Sequence, residues 1–317
     1  MSMKKTFKQL FAEETCVLAP EVYDCASTMA VERCGYKALV LSGAEVSLAM
    51  KGVPDLGILN VEEVLWATQR ICDYSDLPMI VDLENGYGPA LTAAYNCKRI
   101  ARAGAGGVII VDSPEVRIGD ALPMEEAVEK IRACADALKG TDCILVARTD
   151  VKRLDEAITR CVAYREAGAD MTLVFMINDL PPEERFDACK KIAAVDKGWK
   201  WYPDLGCHNG KSDVTLSEIA EYGFNFVGIH YLLSSALTAM IDAGMGNFKN
   251  QDNVYATEKY HECAIGSEEL LDSWYNLEKN YVCNPALRYR WPYGYHIRNR
   301  KFEKAGLELQ KPDTNAL

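Results

Sequence analysis

The sequence predicts an α/β fold, a closed (β/α)8 barrel of the TIM type with parallel strands and a C-terminal extension. Three observations carry this expectation. A unit recurs in which an amphipathic helix ends at a glycine and an aliphatic strand follows within a few residues, as in Arg102-Ala103-Gly104-Ala105-Gly106-Gly107-Val108-Ile109-Ile110. Helical and strand patterns alternate along the chain. Polar side chains fall directly after the apolar runs, where the loops that follow barrel strands gather chemistry. An open doubly wound sheet is the other architecture that this alternation permits.

The elements follow in order. Val17-Leu18-Ala19 forms the first strand and leads to Tyr23-Asp24. After Arg33-Cys34-Gly35, the run Ala38-Leu39-Val40-Leu41 forms the second and ends in Ser42-Gly43-Ala44. A helix over Val61 to Cys72 precedes Met79-Ile80-Val81, and a helix over Ala90 to Ala103 precedes Val108-Ile109-Ile110. Helices over Met124 to Lys139, Asp155 to Ala167 and Glu183 to Ala194 bracket strands at Ile144-Leu145-Val146 and Met171-Thr172-Leu173-Val174, with Trp199-Lys200-Trp201 next. Phe226-Val227-Gly228-Ile229, after Glu221-Tyr222-Gly223, closes the set. Each glycine suits the left-handed position that ends a helix. Beyond Ala243 the texture turns aromatic and charged, with a helix expected over Ser267 to Asn280 and an extended arm over Asn284 to Gly294. Residues 1–245 are therefore expected to form the barrel, and 246–317 a helical extension and arm that makes oligomer contacts.

Composition narrows the function. With 317 residues and 49% hydrophobic content, the chain can bury a large core. A net charge of -11 without a basic stripe excludes a nucleic-acid partner and favours a small molecule. The 12 cysteines are scattered, no Cys-x-x-Cys occurs, and they read as reduced core thiols. Met1 to Phe7 lacks the apolar run of a signal peptide, and no run of 18 apolar residues appears, so a cytoplasmic protein with no membrane partner is expected.

The most informative motif is Val81-Asp82-Leu83-Glu84-Asn85-Gly86-Tyr87-Gly88, in which two acids leave a strand for a glycine turn. On an extended segment Asp82 and Glu84 point to one side, and hard oxygen ligands suit Mg2+ or Mn2+ better than zinc. The plainer reading is a polar strand end. Asp112-Ser113, Arg148-Thr149-Asp150, Asp204 and His230 also follow apolar runs. His208, in Gly206-Cys207-His208-Asn209-Gly210, fits a general acid on a flexible loop or a solvated turn, and its pairing with Cys207 lacks the third group that activates a nucleophile. His230 fits a polar core residue as readily as a functional one.

With these residues in place, the chain resembles the isocitrate lyase and phosphoenolpyruvate mutase superfamily over roughly residues 5 to 245. The resemblance rests on the order of Tyr23-Asp24, Leu41-Ser42-Gly43-Ala44, Gly52-Val53-Pro54-Asp55-Leu56-Gly57, Asp82 to Gly88 and Val146-Ala147-Arg148-Thr149-Asp150. It implies Mg2+ (or Mn2+) at Asp82 with help from Glu84 and Asp55, a substrate carboxylate on Ser42, Gly43 and Ala44, and Arg148 as the arginine that contacts that substrate. It also implies a homotetramer or homodimer with an exchanged eighth helix. Three departures stand out. Glu84 replaces the usual second aspartate; Val111-Asp112 replaces Glu-Asp; and Arg117-Ile118-Gly119-Asp120 stands where the lyases carry a Cys-Gly-His lid.

Loss of the lid cysteine argues against isocitrate-type cleavage, which needs an acid to protonate the enolate carbon. Decarboxylation of a β-keto acid such as oxaloacetate is less demanding. The expected function is thus Mg2+-dependent cleavage of a small α-oxo or α-hydroxy carboxylic acid, with Arg148 as enolate stabiliser and Asp55 beside the metal. Tyr23 fits a hydrogen-bond donor to the oxyanion or a packing residue. The alternatives are a phosphonate enzyme that works on a phosphorus-carbon bond, and a non-catalytic barrel that acts as a scaffold.

Overall fold

A computed structural model describes residues 5–114, 120–208 and 211–260, with the side chains of 207, 208, 211 and 212 left out. The expected helix at 267–280, the arm at 284–294 and most of the 117–120 lid lie outside the described residues. In chain order the elements are α1 (Phe7–Glu13), β1 (Val17–Val22), α2 (Cys25–Arg33), β2 (Leu39–Leu41), α3 (Gly43–Lys51), α4 (Val61–Tyr74), β3 (Met79–Asp82), α5 (Ala90–Arg102) and β4 (Gly107–Val111). There follow α6 (Met124–Leu138), β5 (Ile144–Thr149), α7 (Leu154–Glu166), β6 (Met171–Val174), α8 (Pro182–Val195), β7 (Trp199–Tyr202), β8 (Cys207–His208), β9 (Lys211–Ser212), α9 (Leu216–Glu221), β10 (Phe226–Ile229), α10 (Leu232–Asn250) and α11 (Val254–Lys259).

Strands β1 to β7 and β10 close a parallel barrel in the order β1-β10-β7-β6-β5-β4-β3-β2. This is the expected (β/α)8 barrel, and the open sheet is excluded because β1 pairs with β10 through Val17↔Phe226 to Pro20↔Ile229. Side chains alternate along each strand. Val17, Ala19, Val40, Ile80, Ile109, Val111, Ile144, Val146, Met171, Leu173, Trp201 and Phe226 share one buried cluster, the filling of the barrel. Leu39, Leu41, Val81, Val108, Ile110, Leu145 and Ala147 belong to a second cluster, between sheet and helices. Phe7 and Leu10 of α1 join the inner cluster, and Phe7 meets Phe226 edge-on at 5.8 Å. Each such side chain, fully buried, contributes roughly 1.5–3 kcal/mol.

The same two-residue period sets the functional end of the barrel. One step beyond the filling, the inward positions are Glu21, Ser42, Asp82, Arg148 and, past Gly228, His230. Helix starts are locally encoded as well. Asn60 accepts from the Glu62 and Glu63 amides while the Glu63 side chain accepts from the Asn60 amide, a reciprocal cap for α4. No disulfide joins the described cysteines, and burial pushes Cys143 and Cys161 up to about 12, which makes them inert core thiols.

Two compact units divide the chain. The barrel unit spans Met3–Glu32 and Tyr36–Leu233, and the second takes in Arg33–Gly35 and the chain from Ser234 onward. Within the second, Asp242 of α10 gathers Tyr255, Lys259 and Tyr260, with Lys259 Nζ at 2.8 Å and the Tyr260 hydroxyl at 2.7 Å. No described helix is long and apolar enough to cross a membrane.

Candidate active site at the barrel mouth

Asp82 ends β3 on the inward side, and its two oxygens do different work. Oδ1 accepts the Glu84 amide at 3.0 Å, a turn that lifts the chain out of the strand. Glu84 has φ +51, so the extended segment expected from sequence is corrected: Glu84 occupies a left-handed turn position. It converges on Asp82 all the same. The turn is fixed because Val111 donates its amide to the Glu84 carbonyl at 2.8 Å, and the Asn85 side chain donates to the Pro114 carbonyl at 2.7 Å.

The point of convergence is Gly43, the first residue of α3. A Cβ there would lie 2.6 Å from Glu84 Oε1 and 4.0 Å from Asp82 Oδ2. A methyl there would press on the Glu84 carboxylate while meeting Asp82 Oδ2 at ordinary contact distance, so the glycine leaves Glu84 undisturbed beside Asp82. Among the described residues no three His, Cys, Asp or Glu side chains close on one point to hold a metal ion, so Asp55 does not complete a triad with Asp82 and Glu84. The charge of Asp55 is nonetheless felt at Asp82 and at Tyr87. A hard cation that keeps several waters needs only one or two protein carboxylates, and the Asp82–Glu84 pair over Gly43 fits that requirement. Burial pushes the Asp82 carboxyl up, with Arg148 opposing.

Arg148 extends inward from β5. Its Nε and Nη2 donate to the two Asp150 oxygens at 2.7 and 2.9 Å, and its guanidinium stacks 3.8 Å over the Phe175 ring. Burial works against its charge, but Asp150, Asp82 and Glu84 outweigh it and push the group up. Because Asp150 takes one edge of the fork, the Nη1–Nη2 edge is the one turned to a ligand. Asp150 is itself fixed by its amide, which donates to Asp112 Oδ1 at 3.1 Å. Asp112 is buried and also takes the Tyr164 hydroxyl at 2.7 Å and Arg160 Nη1 at 3.3 Å. Asp112 therefore faces α7 while Val111 faces the barrel filling, so it does not supply the missing outer acid.

Ser42 caps α3 by accepting the Glu45 amide at 3.5 Å. The amides of Gly43 and Ala44, in the first helical turn, have no intrahelical acceptor and suit an anion. Tyr23, half-buried, has its phenol pushed up by burial, Asp24 and Glu45, and so stays a hydrogen-bond donor. His208 is not in an irregular loop: β8 and β9 form a two-stranded ribbon with His208 opposite Lys211.

Three further residues, Glu21, Tyr87 and Glu45, belong to the mouth. Glu21 lies inward on β1 and meets His230 Nε2 at 2.7 Å, while Asp204 meets Nδ1 at 3.2 Å. Burial opposes the imidazolium, but Asp204 and Glu21 outweigh it and push His230 up to about 10. The Val17-Ala19-Glu21 period was the signal. Tyr87, at φ +59, carries a buried hydroxyl with no hydrogen-bond partner among the described residues, beside Glu84, Asp82 and Asp55. Glu45 joins Glu21 and His230, and only the fold brings them together.

Comparison with known proteins agrees with this picture. The sequence profile of phosphoenolpyruvate phosphomutase matches residues 7–248. The petal death protein of Dianthus caryophyllus is 33% identical over 88% of this chain and 89% of its own length. The chloroplastic carboxyvinyl-carboxyphosphonate phosphorylmutase of Arabidopsis thaliana is 30% identical over 87% and 84%. In fold, the phosphoenolpyruvate phosphomutase of Streptomyces platensis superposes with a TM-score of 0.76 at 23% identity, covering 87% of this chain and 98% of that one. The barrel, its inward acids and these matches together make the chain a member of the phosphoenolpyruvate phosphomutase family, within the superfamily of carbon-carbon lyases and mutases that act on small oxo acids and phosphonates.

Proposed function

We propose that this protein is a Mg2+-dependent (or Mn2+-dependent) lyase that cleaves a small α-oxo or α-hydroxy acid, with decarboxylation of an oxaloacetate-like substrate as the leading reaction. The observation that carries this reading is the convergence of Asp82 Oδ2 and Glu84 Oε1 over Gly43, on the side of the barrel where Arg148 points inward. A divalent cation held there supplies Lewis-acid stabilisation of negative charge on a chelating oxygen. The chain's own groups do the rest. Ser42 and the Gly43 and Ala44 amides receive the substrate carboxylate. Arg148, held by Asp150 and Phe175, offers its remaining edge to the oxygen that becomes an enolate. Tyr23 donates a second hydrogen bond to that oxygen, Asp55 adds negative charge beside the cation, and His208, on the β8 ribbon, is a further substrate-binding residue.

The test is release of CO2 and pyruvate from oxaloacetate with Mg2+ and with EDTA, using Asp82→Ala to subtract catalysis by free metal. Turnover lost both with EDTA and in the variant supports the reading; turnover unchanged in Asp82→Ala overturns it. A second reading, phosphorus-carbon bond chemistry, is favoured by the profile match and the phosphorylmutase relative. Release of inorganic phosphate from phosphonopyruvate under the same conditions separates the two.

We also propose that the chain works as a homotetramer or homodimer, with residues from 246 onward contributing contacts. Exposed Met240, Ile241, Met245 and Phe248 along α10 support self-association. Light scattering on the purified protein tests it, and a monomer at micromolar concentration would overturn it.

A further inference from the structure

Glu45 occupies the third position of α3, from which a glutamate ordinarily reaches back to bond the amide of the capping residue. That amide is already engaged, because Ser42 donates it to the Val22 carbonyl at 3.2 Å. The Glu45 carboxyl is thus not engaged in capping. It takes the Leu233 amide, and its Oε2 is buried with no hydrogen-bond partner among the described residues.

The groups that face it come from several elements. Glu21 lies on β1, Tyr23 follows β1, and His230 follows β10, tied in turn to Asp204 after β7. Burial and then Glu21 push the Glu45 carboxyl up to about 7, against the opposing pull of His230 and the Leu233 amide. A buried carboxyl oxygen without a donor is cheaper to keep as an acid than as an anion. His230 has both ring nitrogens committed to carboxylates and serves to set this environment.

We propose that Glu45 is the proton donor that completes the reaction, standing on the same helical turn as the amides that receive the substrate carboxylate. The inference rests on the functional reading above. The bond to the departing carboxylate breaks, its electron pair becomes the enolate, and CO2 leaves. The enolate carbon then takes the proton of the Glu45 carboxyl, giving the oxo acid and a Glu45 carboxylate that recovers a proton from water.

The reverse of this protonation is exchange of pyruvate methyl protons with D2O, read by NMR on the Mg2+-loaded enzyme. Glu45→Gln is expected to slow exchange by about 10²-fold or more, to release CO2 ahead of the ketone as free enol, and to keep oxalate binding within about twofold, which a merely structural role would not do. Its kcat/KM should lose a pH limb near 7. Glu45→Asp, which keeps the acid, should retain that limb at a lower rate. Exchange and limb unchanged in Glu45→Gln overturn the inference alone. Neither exchange nor Mg2+-dependent turnover in the wild type overturns the functional reading and this inference with it.

Discussion

Arg148 shows how a single side chain is aimed. Stacking on Phe175 and the two bonds from Asp150 leave the guanidinium little freedom, so its ligand-facing edge is fixed before any ligand arrives. A lysine can reproduce neither the planar fork nor the stack. Arg148→Lys is therefore expected to lower kcat/KM by about 10²-fold, with thermal stability little changed, as steady-state kinetics and a melting curve would show. Gly43→Ala tests the carboxylate cradle. A methyl 2.6 Å from Glu84 Oε1 must push that group away, and Mg2+ affinity by calorimetry should fall about 10-fold or more. Unchanged affinity would remove Gly43 from the site. At this scale Asp82 was legible as an inward acid at the barrel mouth, because the two-residue period that buries Ile80 continues to it. Glu84 was legible as an acid beside Asp82 and not in its backbone geometry: its positive φ goes with the bond from the Val111 amide of the neighbouring strand, which no local pattern encodes.

At the scale of elements, α7 is tied to the mouth through Asp112, which receives Tyr164 and Arg160 on one oxygen and the Asp150 amide on the other. Asp112→Ala leaves Arg160 buried without that partner and frees the loop that holds Arg148. Breaking such a buried pair costs about 3–5 kcal/mol, to be read as a lower urea midpoint, and kcat should fall alongside. Gly86 sets the packing of the turn after Asp82 against α5. At φ +84, with Ala93 Cβ 2.3 Å from where its own Cβ would stand, Gly86→Ala should destabilise by roughly 1–3 kcal/mol or more. The helices and most strands were legible, since α4, α5, α6, α7 and α8 fall within a few residues of their periodic patterns. Asp112 was legible only as facing away from its neighbour Val111; the α7 partners that occupy it lie 48 and 52 residues along the chain.

Across the whole molecule, closure of the barrel gathers charge at one end, and stability should depend on pH accordingly. His230 is held at about 10 against an ordinary 6.5, so its contribution is complete below about pH 6.5 and is lost as the pH rises through about 10. Glu45, raised to about 7 from an ordinary 4.5, adds stability that is complete below about 4.5 and lost through about 7. Urea midpoints should thus decline from about pH 5 to pH 10, and His230→Gln should flatten the part above 7. A slope unchanged in that variant would mean that the imidazolium pair is not linked to folding. The ring is partly exposed, so solvent screening keeps the effect modest.

The sequence by itself determined the β/α alternation, the barrel and the inward placement of Asp82 and Arg148 at strand ends, because periodicity and helix-ending glycines are local signals. The tertiary structure decided which distant residues share the mouth. Glu21, Glu45, Asp204 and His230 are separated by most of the barrel in sequence, and they meet only because closure pairs β1 with β10 and sets α3 beside both. Their proton affinities follow from that meeting, since burial and neighbouring charge depend on distance through space.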